Sequence, residues 1–528
     1  MTAEKQPGSL RQKIIPNMYR DSVSLMQVSA MTSALPGIIQ ASVVVASPAN
    51  LALLEDAKLI GGSVDAGPSD LLIAVEGETD EAISEALEQA ELALFESSSR
   101  KEEDTPEELA PTSLVDAKKL YPDANIALIS TPGEYAAAEA LKALKMGLHV
   151  MIFSDNVSEK DEVTLKTYAK EHDLLVMGPD CGTAILNGIP LAFANVVRPG
   201  KIGVIAASGT GLQQVTSLID HYGLGITQAV GTGGHDLSEA VGAITMLQSL
   251  EALSKDEATS VIVLVSKPPS PRVAEQVVEH AKKAEKPVVV NFLSPDARSD
   301  SEGNLQFAPT LEAAAKAAVA LAKGNEVNRD TEIDPVVERA ILSASKGIGE
   351  NQEYIRGLFS GGTFCYESLI LLSEELSSVY SNTPIDKRFG LDDPWESRGH
   401  SVVDLGDDEF TRGRPHPMID HRLRNERILQ EARDPETAVI LLDLVLGFGS
   451  HIDPASEMVP AIKNAMSESA KKGSNPVFIC SICGTAADPQ DFAKQERALS
   501  DVGVILAESN AQASRAAALL IRTARKSS

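Results

Sequence analysis

An internal repeat constrains the fold of this chain more than any other feature. Residues 202–215 (IGVIAASGTGLQQV) and 355–368 (IRGLFSGGTFCYES) both contain an apolar strand-like run, a Ser-Gly turn with threonine and the start of a helical pattern. Each is followed, in the same order, by a glycine-containing acidic loop, an apolar strand, a helix and a strand that opens with proline. Matching elements in one order indicate two copies of one α/β domain.

The chain of 528 residues is too long for a single hydrophobic core. Strand-like segments alternate with helical patterns, which is typical of parallel sheets built from βαβ units. Polar stretches at 97–112 and 324–334 interrupt this pattern and are predicted to be linkers. The sequence therefore predicts an α/β fold with a small ferredoxin-like α/β module over 1–97, a Rossmann-like domain over 113–198, and two flavodoxin-like domains over 199–324 and 335–528. Within the first module, 22–28 (SVSLMQV) is predicted to be a strand.

The charge balance excludes two classes of partner. Lys plus Arg is 47 and Asp plus Glu is 75, a net charge of −28 that repels nucleic acid and an anionic membrane surface. No apolar stretch approaches the roughly 20 residues of a spanning helix, and the first residues lack the apolar core of a signal peptide. Four cysteines are too few for a disulfide framework, and the Cys480–Cys483 pair lacks the second pair that zinc requires. We expect a cytoplasmic protein without a metal that acts on a small molecule.

In both copies, the turn between the first strand and the first helix is a candidate anion site. Glycine permits a tight turn, and the free amides and dipole of a helix N-terminus favour phosphate. One such turn is weak evidence, because a Ser or Thr cap after glycine is common. Two turns that meet would supply donors from both sides of a phosphate. The candidate phosphate ligands are Ser208, Gly209, Thr210, Gly211, Ser360, Gly361, Gly362 and Thr363.

Other loops supply candidates for substrate binding and proton transfer. Arg412 and Arg414 offer planar guanidinium forks that suit a carboxylate or phosphate. A histidine near its ordinary pKa can move a proton at neutral pH. In each case the alternative is an ordinary exposed loop, and the sequence does not choose among the histidines. The candidate substrate ligands are Gly233, Gly234, Lys267, Arg412 and Arg414, and the candidate catalytic residues are His235, His416 and His451.

From residue 125 onward the chain resembles the α subunit of succinyl-CoA synthetase, on the segments that begin NIALISTPGEY, MGPDCGTAI and PGKIGVIAASGTG. The C-terminal copy resembles the ligase domain of that enzyme's β subunit. The single-chain arrangement, with YRDSVSLMQVSA at 19–30 and DDEFTRGRPHPMID at 407–420, resembles the FdrA family, often labelled acyl-CoA synthetase. The resemblance implies a Rossmann-like CoA-binding-type domain and two flavodoxin-like ligase domains.

The departures from succinyl-CoA synthetase bear on function. The segment 293–308, where that enzyme carries its phosphorylated histidine, contains no histidine. No segment resembles an ATP-grasp domain, and the first half of the CoA-binding domain is replaced by the small N-terminal module. The resemblance therefore implies no certain cofactor: phosphate is a substrate, and CoA is the one cofactor left open.

Members of the FdrA family have been connected with oxamate carbamoyltransferase, which phosphorolyses oxalurate to oxamate and carbamoyl phosphate in purine and allantoin catabolism. The resemblance thus implies carbamoyl or acyl transfer to phosphate by an oligomer with partner subunits. Two alternatives stay open. One is an acyl-CoA synthetase of the succinyl-CoA ligase type, and the other is a non-catalytic subunit of a larger complex.

Overall fold

The computed structural model describes residues 9–18, 20–61, 64–99, 111–329, 332–412 and 414–527. The N-terminal module is an antiparallel sheet with helices on both faces, and its third strand lies between the first two. Segment 22–28, predicted to be a strand, is helical, because Asp21 caps it and its buried side chains follow helical spacing. The elements are β1 (Ser9–Ile15), α1 (Ser22–Ser33), β2 (Ile38–Val45), α2 (Pro48–Asp56), β3 (Leu71–Gly77) and α3 (Asp80–Ser99).

The next domain is half of a Rossmann fold. Its three short strands are parallel and adjacent in chain order. Small residues on the second helix, such as Ala136 and Ala140, are fully buried and let that helix pack closely on the sheet. The elements are α4 (Leu114–Leu120), β4 (Ile126–Ile129), α5 (Gly133–Lys145), β5 (His149–Ile152), α6 (Glu159–Glu171) and β6 (Val176–Met177).

The first repeat has the flavodoxin-like strand order 2-1-3-4-5, here β10-β9-β11-β12-β14. The elements are β9 (Pro199–Ala206), α7 (Gly209–His221), β10 (Ile226–Gly231), α8 (Ile244–Lys255), β11 (Val261–Ser266), α9 (Pro271–Ala281), β12 (Val288–Phe292), β13 (Ser301–Glu302), β14 (Leu305–Phe307) and α10 (Leu311–Ala322). A hairpin, β7 (Thr183–Leu186) and β8 (Ile189–Ala192), pairs with β10. The hairpin precedes the predicted boundary at 198, yet it extends the sheet of this repeat.

The second repeat has the same order, β17-β15-β18-β19-β20, with β16 added at the edge. The elements are α11 (Pro335–Ala344), β15 (Tyr354–Phe359), α12 (Gly362–Glu375), β16 (Val379–Tyr380), β17 (His400–Asp404), α13 (Asp408–Thr411), α14 (Arg422–Arg433), β18 (Thr437–Val445), α15 (Pro454–Lys471), β19 (Val477–Cys483), α16 (Phe492–Ser500), β20 (Ile505–Ala507) and α17 (Asn510–Ser527). The predicted class, an α/β fold of parallel-sheet domains with a small N-terminal module, is confirmed.

The two repeats share one hydrophobic core, to which α7 and α10 of the first and α12 and α17 of the second contribute. A buried polar clamp reinforces the contact. The Asn195 side-chain amide and the Val196 backbone N–H each donate to the Asp488 carboxylate, both at 2.7 Å. This packing holds the N-termini of α7 and α12 together. Among the described helices, none is both long and apolar enough to cross a bilayer.

Candidate functional site

The two repeated turns meet at the N-termini of α7 and α12. Ser208 Oγ caps α7 by accepting a hydrogen bond from the Gly211 N–H at 3.0 Å, and it lies 2.5 Å from Thr363 Oγ1 of the second repeat. The turn of the second repeat also lies against Thr210 of the first, because a Cβ added to Gly361 would lie 3.0 Å from Thr210 Cγ2. The structure therefore brings together the two turns that the sequence proposed as one anion site.

A buried carboxylate already occupies part of the second turn. Asp443 of β18 accepts hydrogen bonds from the Ser360 N–H at 2.9 Å, the Ser360 hydroxyl at 2.8 Å and the Gly361 N–H at 3.0 Å. Its charge is balanced by Arg424, whose Nη1 lies 2.8 Å from Asp443 Oδ1. In the structure the protein's own carboxylate uses the Ser360 and Gly361 donors, which were predicted to bind phosphate.

Four backbone amides stay available beside this carboxylate. In the part of the chain that the structure describes, the N–H groups of Gly209, Thr210, Gly362 and Thr363 have no protein acceptor. Lys267 reaches the same place, since a Cβ on Gly362 would lie 3.2 Å from Lys267 Nζ. Gly362 therefore borders the Lys267 ammonium group and the Asp404 carboxylate, next to the place where the two helix N-termini meet. Free amides and an ammonium group are donors that suit an oxyanion.

Asp404 and Asp180 form an acidic wall beside this position, which was not predicted from the sequence. Asp404, at the end of β17, is buried, and burial raises the pKa of its carboxyl to about 6. Desolvation by the surrounding groups and the neighbouring Asp155 raise the pKa of Asp180 to about 6, although its side chain is partly exposed to solvent. Both residues lie at the carboxyl end of a parallel strand, where α/β sheets gather their ligands, and that position was the signal available in the sequence. These carboxyls can hold a proton close to neutral pH.

Of the predicted histidines, His416 lies nearest to the acidic wall. A Cβ on Gly406 would lie 2.8 Å from His416 Nε2 and 3.2 Å from Asp404 Oδ1, so both side chains border this glycine. Burial lowers the pKa of His416 to about 4, so its imidazole is neutral at pH 7. A neutral imidazole can accept a proton or hold a neighbouring side chain by a hydrogen bond, but it has no positive charge with which to attract a bound oxyanion.

The other two histidines are placed differently. His235 is 63% exposed in its side chain, and its Nδ1 lies 3.9 Å from Glu162 Oε2. His451 Nδ1 accepts a hydrogen bond from the Asp453 N–H at 3.1 Å, and its ring lies 5.6 Å from that of His421. The described contacts of His451 do not include either turn. His235 thus borders the acidic wall through its influence on Asp180, whereas His451 does not contact the site.

The predicted arginine pair is exposed and does not contact the turns. The Arg414 guanidinium lies 5.3 Å from the centre of the Trp395 ring, a cation–π distance. Arg412 directly follows the short helix α13. The first residue of that helix, Asp408, is close enough to Asp155 to raise the pKa of Asp155. Arg412 therefore lies about one helical turn from Asp408, while Arg414 lies over an aromatic ring.

The glycine loop is packed against the loop that carries Asp180. Gly233 has a φ of 89°, and a Cβ there would lie 2.2 Å from the Pro179 carbonyl oxygen. A Cβ on Gly234 would lie 3.1 Å from Asp180 Oδ2. Position 233 requires glycine because two backbone segments approach each other closely there. Gly234, which is also a candidate substrate ligand, borders the acidic wall.

A buried ion cluster anchors this glycine loop. Lys166 Nζ lies 2.7 Å from Asp236 Oδ1 and 2.7 Å from Glu162 Oε1, and it donates to the Thr232 carbonyl at 2.9 Å. Lys166 and Asp236 are fully buried. Asp236 also accepts hydrogen bonds from two amides at the start of α8. The cluster fixes the loop between the Rossmann half and the first repeat.

Sequence comparison identifies the family. The YahF protein of Escherichia coli K12, described as uncharacterized, is 42% identical over 503 residues, which cover 95% of this chain and 96% of that protein. The chain belongs to the FdrA family. Family models for a CoA-ligase, a CoA binding domain and an AllF heavy metal-associated domain match residues 358–520, 197–294 and 8–111 of this FdrA-family chain. The CoA binding match covers much of the span predicted to be the first ligase domain.

More distant relatives of the FdrA-family chain are CoA ligases. The α subunit of an ADP-forming succinate–CoA ligase from Aquifex aeolicus is 28% identical over 31% of this chain and 55% of that subunit, so the match spans about half of that relative. An ATP citrate lyase structure from Methanothrix soehngenii aligns over 78% of this chain and 85% of its own, with 14% identity and a TM-score of 0.32. That score is too low to support a functional inference.

The group that the heavy metal-associated name implies does not fit the residues present. The span 8–111 contains neither cysteine nor histidine, so it lacks the thiolate and imidazole ligands of a heavy-metal site, and the described residues contain no metal-binding cluster. In the Rossmann half, which precedes the CoA binding match, Ser22 of α1 donates to the Ser130 carbonyl at 3.0 Å, so the N-terminal module contacts the loop after β4.

The pKa of Asp404 predicts a pH dependence of stability. A carboxyl whose pKa is higher in the folded than in the unfolded protein binds its proton more tightly when folded, so its contribution is lost as pH rises from about 4 to about 6. We expect Asp404→Asn to flatten this slope and to raise the free energy of unfolding at pH 8 by about 1–3 kcal/mol. Calorimetry from pH 4 to pH 8 measures this, with the exposed Asp296→Asn as control; equal slopes in the two variants would contradict it.

Proposed function

We propose that this chain transfers an acyl or carbamoyl group to phosphate where the two ligase domains meet. The observation that supports this most strongly is the convergence of four free amides and Lys267 on one position. Donors from two helices and one ammonium group suit a doubly charged phosphate better than a single carboxylate. The finer proposal is phosphorolysis of oxalurate to oxamate and carbamoyl phosphate in allantoin degradation, as a component that works with partner subunits in an oligomer.

In the proposed reaction, a phosphate oxygen held by the Gly209 and Gly362 turns attacks the carbamoyl carbon. The new C–O bond forms as the C–N bond to the oxamate nitrogen breaks. Charge that develops on the carbonyl oxygen is stabilised by the Thr210 and Thr363 amides, which are already oriented. Asp404, with a carboxyl pKa of about 6, donates the proton that the departing nitrogen takes up.

The other polar groups take supporting roles in this proposal. Hydrogen phosphate loses its proton as the C–O bond forms, and that proton restores the Asp404 carboxyl. Neutral His416, which lies beside Asp404, orients this carboxyl. Asp180 accepts hydrogen bonds from the carbamoyl NH₂ group. Arg412, which directly follows α13, binds the carboxylate of the substrate.

The test is phosphate binding by two variants. Lys267→Met removes the ammonium group, and a charged hydrogen bond contributes roughly 1.5–3 kcal/mol, so phosphate binding should weaken about tenfold or more. Gly362→Val places a side chain 2.5 Å from Asp404 Oδ2 and should abolish binding. Calorimetric titration with inorganic phosphate measures both, and the exposed Lys283→Met serves as a matched control. If both variants fold and keep wild-type affinity, phosphate does not bind at these turns.

An acyl-CoA synthetase is the second candidate, and the CoA-ligase and CoA binding matches favour it. The absence of histidine from 293–308 argues against it. We therefore expect no phosphohistidine after incubation with labelled ATP and magnesium, followed by alkaline denaturation. An acid-labile label on any histidine would instead support the synthetase.

A further inference from the structure

A cavity of about 400 Å³ lies between the two ligase domains, away from the paired turns. Its size falls within the range of small-molecule sites. One wall is the second half of α12, the opposite wall is the middle of α17, and the loop after β12 and the start of α10 close it. The apolar and charged residues that line its two helical walls include Ile370, Leu371, Glu374, Arg515, Leu519 and Arg522.

The cavity has basic residues on one wall and acidic residues on the other. Arg515 and Arg522 lie seven residues apart on α17, on one face of that helix. Glu374 and Glu375 line the α12 wall. At the outer end, Arg522 Nη1 lies 3.4 Å from Glu375 Oε2, and about half of each side chain is exposed. This pair lies at the outer end of the cavity, and Arg515 and the exposed Glu374 are the other charged groups of these two walls.

Arg515 has hydrogen-bonding capacity that the protein does not use. Its side chain is 20% exposed, and the nearest carboxylate oxygen, Glu312 Oε2, is 3.8 Å away, beyond hydrogen-bond distance. Glu312 already accepts hydrogen bonds from Lys316 at 2.6 Å and Gln512 at 3.0 Å. Within the described residues, the Arg515 guanidinium therefore donates to no acceptor. A guanidinium whose nearest carboxylate lies beyond hydrogen-bond distance has donors free for the carboxylate of a small molecule.

Glu374 is the complementary group on the facing wall. In the described ranges its carboxylate forms no ion pair within 4.0 Å, although Arg515 is close enough to lower its pKa while burial raises it. The space between the two groups is bordered by Ile370, Leu371 and Leu519. A molecule that bridges them needs an anionic end, a cationic end and an apolar group.

We propose that this cavity binds a small zwitterion of amino-acid size. Its carboxylate pairs with Arg515, its ammonium group pairs with Glu374, and its side chain packs against Ile370 and Leu519. The site is distinct from the proposed phosphate site, because Thr363 and Leu371 are eight residues apart on α12, or about 12 Å. The proposal stands independently of phosphorolysis.

The experiment is a thermal-shift screen of the whole chain with each of the twenty standard amino acids, without phosphate. At least one amino acid should raise the melting temperature by mass action. Propionate, which lacks the ammonium group, and propylamine, which lacks the carboxylate, should not. Calorimetric titration of the amino acid that binds should show about tenfold or greater loss of affinity in both Arg515→Gln and Glu374→Gln. Arg525→Gln, on the same helix but outside the cavity, should bind as the wild type does.

Two results would overturn the proposal: no amino acid that binds the wild-type chain, or binding that both variants retain in full. If Arg515→Gln does not fold, Glu374→Gln decides alone, because its side chain is exposed and makes no ion pair in the described structure.

Discussion

Lys166→Met is expected to lower the free energy of unfolding by about 3–5 kcal/mol, because it leaves two buried carboxylates without their cation. Lys166 Nζ lies 2.7 Å from both Asp236 and Glu162, and none of the three side chains is more than 1% exposed. The loop that carries His235 would also lose its link to α6, through the Thr232 carbonyl. Scanning calorimetry measures the loss.

The matched control is Lys170→Met, one turn further along α6, where the lysine side chain is exposed. This variant should change stability by less than about 0.5 kcal/mol. A triple variant, in which Glu162→Gln and Asp236→Asn accompany Lys166→Met, should recover part of the loss, because it removes the unpaired charges. If Lys166→Met is as stable as the control, the cluster contributes no net stability.

Asp443→Ala is expected to destabilise the second repeat by about 3–5 kcal/mol, since it leaves Arg424 buried and uncompensated. The Ser360 and Gly361 donors would lose their acceptor as well. The vacated space then has the donors of an anion site. Formate, which replaces the lost carboxylate, should restore part of the melting temperature in this variant but not in the wild type.

The control is Asp386→Ala, which removes the partner of Arg388 from an exposed pair. A surface ion pair contributes about 0–1 kcal/mol, so a small loss without rescue by formate is expected. If formate stabilises Asp443→Ala no more than this control, the second turn does not bind anions even when its own carboxylate is removed.

The architecture was predictable because it repeats. Residues 202–215 and 355–368 carry the same local pattern, and each pattern indicates a strand, a turn and a helix of known direction. The pairing of the two turns also followed, because Ser208 and Thr363 lie at equivalent helix starts. Patterns of this kind depend only on residues that are close together in the sequence, so the sequence alone reveals them.

The carboxylates at the site were not predictable, because their contacts are with residues far away in the sequence. Asp443 lies more than eighty residues from the turn that it fills. The raised pKa of Asp404 depends on burial by several elements, and a lone aspartate at the end of a strand does not reveal it. Segment 22–28 was assigned to the wrong class of element because a short apolar run fits a strand or a buried helix equally well, and the Asp21 cap decides it.

The shared core has a consequence for how sequences of this kind can change. Because α7, α10, α12 and α17 bury their apolar faces against one another, neither repeat could be deleted without exposing those faces to water. Each repeat therefore depends on the other to cover its apolar helices. Compensating substitutions should therefore occur in pairs across the contact between α7 and α12, where a change of volume on one helix must be matched on the other.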